Sequence, residues 1–201
     1  MTTLADLEAL VIAQTRRPEV PEITQAAIRA ATLRAHHVDF FPRDLTQANL
    51  IYTPVSSAQF YDFPTVSATL LRLRTIQQLE SVDTTTLATT EILGYRELTD
   101  LYDKDNVRRP SVYTMIGDTL RAYPLSATGQ FVAYYYQNPA TASLTYSSWI
   151  ADTYPDELAM WAAAIVFART GFAEMAKQIT DQHIIPFKQT LVESHLISHV
   201  N

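Results

Sequence analysis

Apolar positions follow a helical period at both ends of the chain and fall into short alternating runs between them. Leu4, Leu7, Leu10 and Val11 share one helical face, and Thr3 stands where an N-cap is wanted. The stretch Arg16-Arg17-Pro18-Glu19-Val20-Pro21 ends that helix, because two prolines so close together deny helical hydrogen bonds. Pro21 and Glu22 suit the opening turn of a second helix with an apolar face of Ile23, Ala26, Ala27, Ala30 and Leu33. After His37 the pattern changes. Short β-rich segments are predicted at residues 49–52, 59–61, 68–75, 111–116, 119–123 and 131–137. Gly117-Asp118 forms the two-residue loop of the clearest hairpin, with glycine first as a type II′ turn requires. Between these strands, residues 89–102 read as a short helix with Leu93, Leu98, Leu101 and Tyr102 inward.

The helical period returns at Pro155, where Asp156 and Glu157 complete a good helix start. Leu158, Trp161, Ala162, Ile165 and Val166 make that helix apolar nearly all round, so it should be enclosed on most sides. Gly171 breaks it, and Phe172, Met175, Ala176 and Ile179 form the stripe of the next. Pro186 is expected to kink that last helix. Beyond it Phe187, Leu191, Leu196, Ile197 and Val200 stay apolar up to the final residue, Asn201. Chain ends are ordinarily polar and frayed, so these five are expected either to pack back onto their own domain or to dock on another chain, and the kink, which lets the tail leave the bundle, favours docking. The fold class expected is α+β: a helical bundle from the N- and C-terminal helices, an inserted antiparallel β-region, and a helical, kinked C-terminal tail. All of it would form one domain, 1–201, with N-terminal helices over 1–37, the β-rich insertion over 38–140 and C-terminal helices and tail over 150–201.

A chain of 201 residues with 47% hydrophobic and 18% charged residues is long enough for a real core and somewhat short of charge. The formal net charge of −6 argues against wrapping nucleic acid by phosphate neutralisation. With no cysteine, disulfides, thiolate metal sites and thiol catalysis all fall away, which fits assembly in a reducing cytoplasm. The first residues show no secretory pattern, and no run is long enough to span a bilayer, so no membrane partner is expected.

The search for chemistry returns no constellation. Four glycines, Gly94, Gly117, Gly129 and Gly171, cannot build a phosphate cradle or a dinucleotide fingerprint. A calcium loop opening at Asp103 would need glycine and glutamate where Arg108 and Thr114 stand. His195 and His199 share a helix face, but the residue after the first is Leu196, not the glutamate of a hydrolytic zinc site. His36-His37 suits the negative end of the second helix. No nucleophile elbow is present. Tyr134, Tyr135 and Tyr136 lack the interleaved basic residues of a base-stacking platform and read as sheet. No catalytic residue, metal or cofactor is therefore expected, and the chain reads as a non-enzyme.

The order of elements resembles one family. Arg17-Pro18-Glu19 follows a first helix; an alanine-rich second helix and a middle β-region come next. Then come Tyr134-Tyr135-Tyr136, Pro139, Leu144, Trp149 and Asp152-Thr153-Tyr154-Pro155-Asp156, which opens an alanine-rich helix. This is similar to the head-to-tail adaptor (head completion or connector) proteins of tailed bacteriophages. The resemblance implies a virion protein of the neck. Such a subunit belongs to a closed ring of twelve copies beneath the portal, binds tail or nozzle proteins at its other end, and lets double-stranded DNA pass without specific binding. Phe187, Leu191, Leu196, Ile197 and Val200 would grip the portal or a neighbouring subunit. Another neck or tail ring protein, a stopper or tail-completion subunit, is the alternative; a small soluble enzyme is the alternative from a different class.

Overall fold

The computed structural model describes residues 1–53, 60–65, 70, 72–97, 111–123 and 129–198, with side chains described up to residue 194. Contacts divide the chain into two compact units. One joins Met1–Asp44 to Asn138–Asn201, and the other is Leu45–Gln137.

The first unit is helical. Helix α1 (Leu4–Thr15) opens on a capping box: the Thr3 hydroxyl accepts from the Asp6 N–H, and the Asp6 carboxylate accepts from the Thr3 N–H. It ends at Arg16, which takes a left-handed φ of 54°. Helix α2 (Pro21–His36) starts on proline, as the sequence predicts. Its buried face differs from the predicted one, since Thr24, Ala27, Ile28, Ala31, Thr32, Ala35 and His36 point inward. The polar members of that face hide their hydroxyls: Thr24 donates to the Val20 carbonyl and Thr32 to that of Ile28. A turn of 3-10 helix (Pro42–Asp44) closes this part. After the β-unit come α3 (Trp149–Thr153) and α4 (Pro155–Arg169). Helix α4 is the axis of the core. It packs on α1 and α2, and it buries Leu158, Trp161, Val166 and Phe167 with four alanines between.

The C-terminal helices correct the predicted architecture. α5 (Ala173–Ile179) runs into a π-helical turn (Thr180–Ile184) and on into α6 (Ile185–Ser198). The Ile185 N–H reaches back five residues to the Thr180 carbonyl. Helical backbone thus continues past Pro186, and Ile184, Phe187 and Leu191 lie in the core with 5%, 4% and 0% exposure. A bundle with a separate kinked tail is not what forms. The physical reason lies in the spacing. Ile184 stands eight residues after buried Ala176, a step that α geometry would leave about 80° off the buried face. The wider π turn takes up that excess and keeps the apolar residues inward.

The second unit is a seven-stranded sheet, ordered β1-β7-β3-β4-β5-β6-β2. Its strands are β1 (Leu45–Ile51), β2 (Tyr61–Pro64), β3 (Leu73–Asp83), β4 (Thr89–Tyr95), β5 (Val112–Ile116), β6 (Thr119–Tyr123) and β7 (Gly129–Gln137). The β5–β6 hairpin forms at Gly117, whose φ is 56°. Two expectations fail here. Residues predicted as a helix from Thr89 form strand β4 up to Tyr95, with positions 98–102 outside the described residues. Leu93 is inward in either geometry; pairing of Leu79 with Leu93 and of Gly94 with Val112 decides for strand. That second pairing is parallel, so the region is not purely antiparallel. Predicted strands at 59–61 and 68–75 lie partly outside the described residues. The core of this unit centres on fully buried Phe131. Tyr52 stacks on it at 4.8 Å between centroids, and Phe63 meets it edge-on at 5.7 Å.

Candidate functional site

A buried polar cluster lies inside the helical unit. His36 closes α2, Asp44 ends the 3-10 turn, and Ser148 caps α3 with its hydroxyl accepting the Ala151 N–H. His36 Nδ1 is 2.9 Å from both oxygens of the Asp44 carboxylate, and its Nε2 is 2.9 Å from Ser148 Oγ. The Trp149 indole N–H donates to Asp44 Oδ1 at 2.8 Å. The Trp149 ring, packed edge-on against His36 and Phe41, lies 5.1 Å beneath the Arg43 guanidinium.

Serine, histidine and aspartate thus stand in the order of a hydrolase relay. The chemistry needs a substrate to reach the hydroxyl, and here His36 is 2% exposed, Ser148 4% and Asp44 7%. The Ser148 oxygen also serves as a helix cap. The cluster therefore works as a pin: it satisfies buried polar groups and fastens the end of α2 to the start of α3. Beside it the Tyr146 hydroxyl bonds Thr32 at 2.8 Å, and burial pushes that phenol up to about 12.

Two concavities accompany the pin. In the helical unit a groove of about 440 Å³ runs between α2, α4 and the α5–π segment, floored by Ala164, Ala168 and Ala176 and edged by Arg34 and Lys188. In the β-unit a cleft of about 580 Å³ opens where β3 and β4 part, lined by Leu73, Ile76, Leu93, Tyr95, Tyr113 and Met115. Burial raises the Tyr113 phenol above its ordinary value. Neither holds a nucleophile beside a base. Among the described residues no group of three or more histidines and carboxylates could hold a metal.

The predicted docking residues separate. Phe187 and Leu191 are spent on the core, where Phe187 meets Tyr154 and Trp161 edge-on. Leu196 and Ile197 fall within the backbone span of α6, and Val200 lies outside the described residues. Tyr134, Tyr135 and Tyr136 sit in β7, the strand between β1 and β3, with Tyr135 in the core. Arg17 reaches Glu19 at 3.7 Å and covers the Phe172 ring at 4.3 Å. Asp103, Arg108 and His199 lie outside the described residues. Sequence reasoning missed the buried pin, and its one local signal is Asp44 placed eight residues after His36.

The fold is of the α+β class: a helical unit pinned by buried polar ties, and a unit built on a seven-stranded sheet. The chain belongs to the SU10 adaptor protein family, whose model matches residues 2–183. That is a family of bacteriophage adaptor proteins, structural components of the virion rather than enzymes. No curated protein matches the chain. No helix among the described residues is long and apolar enough to cross a membrane.

Proposed function

We propose that the chain is a subunit of a ring seated beneath the portal, joining phage head to tail around the DNA passage. The observation that carries this reading is the family match over residues 2–183. Physical features support it. A formal net charge of −6 repels phosphate, as suits a conduit that must let DNA slide. The twelve copies, the portal on one side and tail or nozzle proteins on the other follow from the resemblance. Within the C-terminal segment the roles divide. Phe187 and Leu191 hold α6 on its own core, and the residues beyond them, Leu196, Ile197 and Val200, supply the grip on the portal or a neighbour.

Particles assembled without this protein test the reading directly. Electron micrographs should show filled or emptied heads with a bare portal and no attached tail. Particles with the neck intact and a defect at the tail tip would overturn it. A truncation after Ser194 tests the docking role, because it spares the core pair. It should abolish joining to portal rings while the chain stays folded; undiminished joining removes the segment from the account.

A further inference from the structure

The helical unit carries an apolar knob as well as its apolar groove. The knob is Leu144, 99% exposed. Its loop is closed at the base, where the Ser147 N–H donates to the Ala140 carbonyl at 2.9 Å, and tightened at the tip, where the Thr145 N–H donates to the Ala142 carbonyl at 3.1 Å. The far foot of the loop is tied into the core twice, by Tyr146 to Thr32 and by Ser148 to His36. A leucine held in this way is presented in advance, so little freedom is lost when it inserts into a partner. The groove has the matching character. Its alanine floor leaves space for a branched side chain, and Ile165 and Ile184 give apolar walls.

Charge indicates the occupant. Arg34 and Lys188 edge the groove, and neither makes an ion pair among the described residues. The Leu144 loop leads through α3 into the first turn of α4, where Asp156 and Glu157 are exposed and likewise without an ion pair there. Among the described residues, carboxylates without an ion pair follow the knob, and cations without one flank the groove, Lys188 resting 5.1 Å over the Trp161 ring. Both sets belong to the same chain, so the complementary partner is a second copy of it.

We propose that Leu144 of one copy seats in the groove between α2, α4 and α5 of the next, with Asp156 and Glu157 facing that copy's Arg34 and Lys188. Knob and groove are different surfaces, so the contact is head-to-tail and propagates until it closes on itself. The inference rests on the ring reading and supplies its side-to-side contact.

Sedimentation of the full chain over rising concentration, with and without portal rings, tests it. Leu144→Ser removes the knob and Ala168→Trp fills the groove; both positions are exposed, and unchanged circular dichroism and melting confirm folding. Each variant alone should assemble at least about tenfold more weakly than the natural chain. Mixed together, the two retain one intact knob and one intact groove, and should form heterodimers that grow no further. If the natural chain assembles and the variants assemble equally well, the knob contact is wrong while the ring reading stands. If mixing yields no heterodimer, the head-to-tail contact is likewise overturned. A natural chain that never assembles, even on portal rings, overturns both.

Discussion

His36 and Ser148 stand 112 residues apart in sequence and 2.9 Å apart in space. At this scale the fold is held by polar groups that have left water and found partners. Replacing His36 by alanine leaves a buried carboxylate and a buried hydroxyl each short of one. Denaturant unfolding should show a loss of about 3 kcal/mol, the ordinary consequence of breaking a buried pair from one side. An activated fluorophosphonate probe should leave Ser148 unlabelled in the folded chain, whereas labelling would reopen the catalytic reading. Tyr146 offers a second test. Its phenol is raised from 10.0 to about 12, chiefly by burial. Above pH 10 the unfolded chain therefore sheds this proton while the folded chain keeps it, and stability falls until the folded phenol ionises near pH 12. Tyr146→Phe should flatten that alkaline slope by about one proton and cost about 1 kcal/mol at neutral pH through the lost bond to Thr32. Neither the pin nor the tyrosine bond was legible in the sequence. Spacing reports neighbours on one helix face, and these partners come from distant segments. His36 read as a residue for the negative end of a helix; its real environment depends on Asp44 and Ser148.

At the scale of elements, legibility followed periodicity. Helix starts were plain because a capping threonine or a first-turn proline announces them, as Thr3, Pro21 and Pro155 do. The inward face of α2 was misjudged because its buried threonines satisfy themselves on the backbone and so escape an apolar count. Strand β4 reads as a helix in sequence because Leu93 faces inward in both geometries, and only pairing with β3 and β5 settles the matter. Pro186 suggested a kinked tail, but the π turn before it restores the inward register of Ile184, Phe187 and Leu191. Removing Gln182 takes out the excess residue and leaves a seven-residue step from Ala176 to the next core isoleucine, which plain α geometry can serve. The deletion should keep helix content and lower the melting temperature only slightly. Phe187→Ala, by contrast, should cost about 3–5 kcal/mol by opening a cavity against Tyr154 and Trp161. A deletion as damaging as the phenylalanine truncation would refute the register argument.

For the whole molecule, the legible signal lay in the order of elements. The sequence shows structural punctuation: Arg17-Pro18-Glu19, the tyrosine strand, Trp149, and the Tyr154-Pro155-Asp156 helix start. Those marks carried the family resemblance, and the family match extends over nearly the whole chain. The candidate docking residues were less legible, because apolar side chains look alike whether they face a core or a partner; Phe187 and Leu191 turned out to face the core. Exposed Leu144 is a better-presented apolar group than either. The central claim is a ring at the head–tail junction, and the measurement closest to it is the mass and symmetry of the complex that the full chain forms with its portal. The account predicts a closed ring of twelve copies bound to one face of the portal. A chain that stays monomeric beside intact portal rings, or binds them singly without contact between copies, would contradict it.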